Sequence, residues 1–276
     1  MGSRLQVYLH KNTNKDFAIT RNGSRCGQAE KMKLIFQKLH NQYDSIISYH
    51  DCLILDGELL PWSFIGQELI NKEFSQYSSC IEQELICLQQ DKTYQSLFPN
   101  NNIKQQLNGI NIFKEQLSLY ASVSEPIFKG FNILSIDGHI QKNENQENIY
   151  QLLGNSEYKV INTDDIDIAI NYFKELTEQK KYEGIVIKPI YLQENVAPYI
   201  KVRNENYLHL IYGYDYLLKY QKLCENKKIG KKLALSISQF NIGHQMLSCN
   251  NQEQLLDLAC QMRFEINKEN EIDTRL

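Results

Sequence analysis

Apolar residues in this chain change their repeat several times, and each change restricts the layers the polypeptide can build. Leu5–His10 alternates as a strand does, Phe17–Thr20 suits a partner strand, and Asn12–Asp16 carries turn chemistry between them. Glu30–His40 has helical spacing, and Cys52–Leu60 is an apolar strand interrupted by Asp56-Gly57-Glu58. From about Gly66 to Tyr120 the period lengthens: Ile70, Phe74, Tyr77, Ile81, Leu85 and Leu88 follow at steps of 4, 3, 4, 4 and 3, a helical stripe. A second helix is predicted over Asn102–Tyr120, after the break at Pro99. Such a helical insertion inside a strand-rich region can pack on the sheet or lie over a cleft.

Strands return at Phe131–Ile136, with a turn at Asp137-Gly138 and a continuation through His139-Ile140. Tyr158–Ile161 reads as a short strand. Asn162 or Thr163 suits the cap of a helix from Asp164 to about Lys180. Glu183–Lys188 and Ile200–Arg203 are two more strands. Beyond Asn206 the pattern is helical over Tyr207–Tyr220, Lys231–Gln239 and Gln252–Asn267, and the polar tail from Asn267 should fray. The expected class is α+β: an antiparallel-sheet core over 1–65 and 123–205, a helical insertion over 66–122, and a C-terminal helical module over 206–276.

At 42% hydrophobic and 23% charged residues the chain resembles an ordinary soluble globular protein, and a cytoplasmic location is expected. No apolar run reaches the ~18 residues of a membrane span. The seven cysteines form no C-x-x-C pair and read as reduced, mostly buried thiols. A net charge of −3 neither supports nor excludes a nucleic-acid partner, because cations can concentrate in one cleft.

Chemistry concentrates at a few stations. Glu183-Gly184 opens a β-branched strand ending in Lys188, and the next strand carries Lys201 and Arg203 on one face. Arg4, the cationic loop Arg21–Arg25 and Asp56-Gly57-Glu58 add further charges beside strands or turns. Phosphoryl and nucleotidyl transfer need cations over non-bridging oxygens and a carboxylate to hold a divalent metal. Taken singly, an Asp-Gly pair is an ordinary turn, and Lys201 and Arg203 are two solvated side chains of one strand.

The order of the stations resembles that of the covalent nucleotidyltransferase superfamily of ATP-dependent ligases and mRNA capping enzymes. Within it, the chain looks like the ligase domain of bacterial polynucleotide kinase-phosphatase, an RNA-repair enzyme. The resemblance is carried by Met1–Arg4, Thr20–Gly23, Leu55–Ser63, Phe131–Leu134, Glu183–Pro189 and Lys201–Arg203. Tyr207-Leu208, Ile211–Gly213 and Lys231–Leu235 extend it over nearly the whole chain.

It implies that Arg4 and Arg21 contact the nucleotide or its phosphates, Glu58 the ribose, and Lys201 the α-phosphate. Phe131 would stack on adenine, although a core aromatic is an equal reading. Glu183 would hold or orient the metal, and Lys188 and Arg203 would meet phosphate or polynucleotide. Trp62 and the tyrosines of the C-terminal module are assigned to packing.

The implied cofactors are ATP and Mg2+ or Mn2+, and the implied substrate is RNA with 5′-phosphate and 3′-hydroxyl ends. The implied partners are an upstream kinase-phosphatase polypeptide and a small-RNA 2′-O-methyltransferase. The lysine that attacks ATP in this family lies two residues before the methionine of the Met-Gly-Ser-Arg segment, outside this sequence. Neither Lys11 nor Lys15 stands in its place. The expectation is that the chain as written does not form the lysyl-adenylate. It would then be a truncated product or one half of a split ligase. An inactive ATP- or RNA-binding fragment and another adenylyltransferase or capping-type enzyme are the alternatives.

Overall fold

A computed structural model describes residues 2–21, 23–27, 29–61, 70–121, 125–141, 144–226 and 229–270. Five antiparallel strands form the main sheet in the order β2-β1-β3-β4-β5: β1 Ser3–His10, β2 Phe17–Thr20, β3 Cys52–Leu60, β4 Ile127–Ile136 and β5 His139–Ile140. A separate two-stranded antiparallel sheet pairs β6 Gly184–Ile187 with β7 Ile200–Arg203.

Alternation gives the main sheet two unlike faces. Leu5, Val7, Leu9, Leu53, Leu55 and Ile133 point to one face and are buried against Met32, Ile35 and Leu39 of the helix Ala29–Gln42 and Ile149 of the helix Gln146–Leu152. Each such side chain contributes about 1.5–3 kcal/mol when removed from water, so this cluster anchors the sheet. The opposite face carries Arg4, Gln6, Asp56 and Asn132 in register. The antiparallel α+β class is therefore as expected from the sequence.

Among the described residues, the helices Ser75–Gln90 and Ile103–Ala121 pack mainly on each other, and the second also on the helix Glu205–Tyr212. Ile110, Phe113 and Leu117 of the helix Ile103–Ala121 build a second core with Tyr207 and Leu210 of the helix Glu205–Tyr212. Gly109 marks how closely the helix Ile103–Ala121 approaches the segment just after Tyr212, since a Cβ there would lie 1.9 Å from the Tyr214 carbonyl oxygen.

Several sequence-based expectations change. β4 begins at Ile127, four residues before the expected start. Residues 155–162 form no strand; their side chains bridge helices instead, with the Tyr158 hydroxyl donating to Glu147 and Lys159 over the Tyr172 ring. The next helix starts at Ile166 with Asp165 as its cap, and the Asn162 amide donates to Asp165 rather than capping a helix itself. The single helix expected over Tyr207–Tyr220 stops at Tyr212, because Gly213 takes φ +106°, and a second short helix spans Tyr220–Asn226. The last helix, Gln252–Asn270, runs past the expected fraying point. All seven thiols are free, but Cys80, Cys87, Cys224 and Cys260 are exposed on outer helix faces and none is fully buried. Trp62 lies outside the described residues.

Candidate functional site

The polar face of the main sheet is organised around a buried acid. Asp56 is only 3% exposed and accepts both arms of Arg4, Nε to Oδ1 at 3.1 Å and Nη2 to Oδ2 at 2.8 Å. The Arg4 side chain remains 44% exposed, so the carboxylate fixes a guanidinium whose outer side faces the cleft. Glu58 lies directly across from Arg4 in the β1–β3 ladder. Gly57 sits in mid-strand: a Cβ there would fall 2.4 Å from the Phe128 ring and 2.5 Å from the Lys129 oxygen. The Asp-Gly pair is thus a close strand contact, not a turn.

Phe131 owes its position to a bulge. The register runs from Asp56↔Asn132 to Gly57↔Gly130, which leaves Phe131 as the extra residue of β4. Bulges re-aim side chains out of the ladder. Lys188, just past β6, donates to the Phe131 carbonyl oxygen at 3.2 Å, and its ammonium lies 5.0 Å from the Phe131 ring centre and 5.1 Å from that of Tyr150. Burial lowers the Lys188 ammonium to about 8, against the charge of Asp56 and with that of Arg4. Asn132, opposite Asp56, keeps a buried amide oxygen with no hydrogen-bond partner among the described residues.

The small sheet supplies the other wall. Gly184 adopts φ +151°, and a Cβ would meet the Val202 oxygen at 2.0 Å, so only glycine lets Glu183 enter β6 this close to β7. Glu183 forms an ion pair with Arg203 through Oε1. Burial opposes the charge of Glu183, but neighbouring cations, Arg203 and Lys201 among them, outweigh it and lower its pKa. Burial likewise opposes the charge of Arg203, and Glu183 more than restores it. The Lys201 side chain is largely exposed, yet desolvation of its ammonium and then Arg203 lower its pKa, against Glu58 and Glu183. Asn204 secures the corner: its amide N–H donates to the Glu183 oxygen at 3.0 Å, its side chain donates to the Tyr182 oxygen at 2.8 Å, and its Oδ1 caps the helix at Tyr207 N.

Arg4, Glu58, Glu183, Lys188, Lys201 and Arg203 are therefore coupled by charge into one cluster between the two sheets, and Phe131 joins it beneath the Lys188 ammonium. Arg21 is exposed in the turn after β2, where the Leu5↔Thr20 register carries it level with Arg4. Lys11 lies beyond the far end of β1, donating to the Ser48 oxygen at 3.2 Å.

Among the described residues no three His, Cys, Asp or Glu side chains converge as a metal cage. A hard cation shared with substrate phosphates needs only one or two carboxylates, so a residue such as Glu183 requires no such cage. Asn132, Tyr150 and Asn204 belong to this neighbourhood without having been assigned a role from the sequence, where the capping pattern Asn204-x-x-Tyr207 before a helix was the available signal. Asp56 was singled out there only as part of a charged station, and it is the acid that holds Arg4; Tyr207, assigned to packing, is buried beneath Arg203.

A five-stranded antiparallel sheet facing a two-stranded one across a cationic cleft defines a nucleotidyltransferase-type domain. The family model described as "PNKP adenylyltransferase domain, ligase domain" matches residues 3–264, and the chain belongs to that family. Two solved structures, described as the structure of a Pnkp1/Rnl/Hen1 complex and of the Pnkp1/Rnl/Hen1 RNA repair complex, each contain a similar chain. Each is 25% identical with a TM-score of 0.79, and each match covers 100% of this chain and 84% of the other. No functionally curated protein matches the sequence significantly.

Proposed function

We propose that this domain takes part in ATP-dependent RNA sealing, joining an RNA 5′-phosphate to a 3′-hydroxyl through an adenylylated end. The observation that carries this reading is the convergence of four cations, Arg4, Lys188, Lys201 and Arg203, and two carboxylates, Glu58 and Glu183, with the bulged Phe131. Arg4 and Arg21 would bind nucleotide phosphates, with Arg4 pre-oriented by Asp56. Phe131 would carry the adenine face and Glu58 the ribose. Lys201 would hold the α-phosphate, and Lys188 and Arg203 would meet phosphate or polynucleotide. Glu183 would hold Mg2+ or Mn2+, which when bound supplies Lewis-acid charge at the phosphate oxygens.

Residues 1–65 and 123–205 would form the nucleotidyltransferase core, 66–122 the helical insertion and 206–276 the C-terminal module. Because the similar chains come from Pnkp1/Rnl/Hen1 complexes, a kinase-phosphatase and a Hen1-type methyltransferase are the proposed protein partners. No helix among the described residues is long and apolar enough to cross a membrane, and the proposed location is cytoplasmic.

Sealing of a pre-adenylylated RNA donor to a 3′-hydroxyl acceptor tests the reading, since it requires the AMP pocket but not the attack on ATP. Sealing in Mg2+ or Mn2+, abolished by Lys201→Ala and by Glu183→Ala, is expected. A wild-type protein that neither seals this donor nor binds ATP overturns it.

A further inference from the structure

We propose that the outer edge of β2 carries an RNA subsite beside the nucleotide cleft: a small cavity that takes one base of a single strand, with the phosphate of that nucleotide on Arg25 and Lys33. The inference rests on the ligase reading above and extends it from the nucleotide to the polynucleotide. After β2 the chain folds back on itself. Gly23 N donates to the Thr20 oxygen at 2.9 Å, Thr20 N to the Ser24 oxygen at 2.8 Å and Cys26 N to the Ala18 oxygen at 2.8 Å. These bonds set Arg25 against Ile19, and Ile19 pairs with Gln6 of β1. Arg25 therefore continues the polar row of the sheet two strand spacings, about 10 Å, outside Gln6. Its guanidinium lies over the Phe17 ring at 5.6 Å, and Phe17 stacks on Tyr8 at 4.3 Å.

Between this edge and the helix Ala29–Gln42 is a cavity of about 230 Å³, lined by Phe17, Phe36, Arg25 and Lys33, with Asp16 in its wall. Cofactor-sized pockets run to about 300–1,000 Å³, so this one suits a single ring system and not a whole nucleotide. Asp16 does not neutralise the cations. Its side chain is 3% exposed, and its oxygens accept from His10 N and from His40 Nε2, each at 2.7 Å. Arg25 and Lys33 are exposed and have no ion-pair partner among the described residues. Aromatic walls beside unpaired cations match a base and its phosphate, the combination by which single strands are held. Arg4, Arg21 and Arg25 follow one another along the β1–β2 hairpin, so a strand whose end lies in the cleft meets this cavity next.

Binding of a fluorescein-labelled, 5′-phosphorylated single-stranded RNA, followed by anisotropy over a salt series, tests the subsite, with ATP affinity measured in parallel. Arg25→Gln and Lys33→Gln should each weaken RNA binding and flatten the slope of log K against log salt by about 0.7, the share of one phosphate contact on a single strand. ATP affinity should not change. Lys104→Gln removes an exposed cation from the helix Ile103–Ala121 and should leave both ligands unaffected. Phe17→Leu keeps the charges and should weaken RNA binding about fivefold at unchanged slope, the scale of one lost stacking contact. Wild-type affinity and slope in both Arg25→Gln and Lys33→Gln overturn the inference, and so does an equal effect of Lys104→Gln. A folded Phe17→Leu protein with wild-type RNA affinity overturns it as well. A matching loss of ATP affinity in the cation variants does the same, since the contact would then belong to the nucleotide pocket. A wild type that binds ATP but no RNA overturns the inference alone, whereas one that binds neither removes the ligase reading with it.

Discussion

Substituting either partner of the Arg4–Asp56 pair disrupts the same forked contact, yet the losses should differ because the partners are buried unequally. Arg4→Met leaves the Asp56 carboxylate, 4% exposed, without its forked donor; Asp56→Asn leaves a guanidinium that is 44% exposed and can turn to water. Stranding one member of a fully buried pair costs about 3–5 kcal/mol. Water reaches Arg4, and Lys188 lies within electrostatic reach of Asp56, so about 2–3 kcal/mol is the expected loss for Arg4→Met. Asp56→Asn keeps an acceptor and should cost about 1 kcal/mol, the net worth of an ordinary hydrogen bond. Arg4→Met combined with Asp56→Leu removes both charges and should recover most of the loss. Urea unfolding at pH 7, followed by circular dichroism, measures all three. Equal losses from the two single substitutions, or no recovery in the double variant, would refute the argument from unequal burial.

Lys188 offers a pH test. Its ammonium sits at about 8 in the fold, against roughly 10.4 in an unfolded chain, so between those values the unfolded state binds more protons and wild-type stability rises with pH, by up to ~3 kcal/mol. Lys188→Met should therefore be most stabilising relative to wild type below pH 8, with an advantage that shrinks towards pH 10; a pH-independent difference in thermal midpoint contradicts it. Gly109→Ala pits helix propensity against packing. Propensity alone predicts a gain of about 1 kcal/mol, but the 1.9 Å approach to the Tyr214 oxygen predicts a loss, and the sign of the shift in urea midpoint decides.

Much of the fold was legible because its signals are local. The bounds of β2 and β7 follow from short runs with β-branched residues ending at turn residues and those of β3 from an apolar run, and the helical stripe from Ile70 to Leu88 survives as a π turn running into the helix Ser75–Gln90. Where local signals misled, a missing strand partner or one residue's backbone angle was decisive. Tyr158–Ile161 has strand composition but no strand beside it, and Tyr207–Tyr220 has helical spacing that one positive-φ glycine interrupts.

The cleft divides in the same way. The charged residue types and their order along the chain place Glu183, Lys188, Lys201 and Arg203 beside two short strands, because period-2 alternation needs no tertiary information. Three-dimensional packing settles the rest. It pairs Arg4 with Asp56 across 52 residues, expels Phe131 through a bulge that needs both strands in register, and brings Tyr120 from the insertion to Tyr207 and Glu183. Register shifts and contacts between distant segments leave no periodic trace in a sequence, whereas charge and hydrophobic repeat are written there residue by residue.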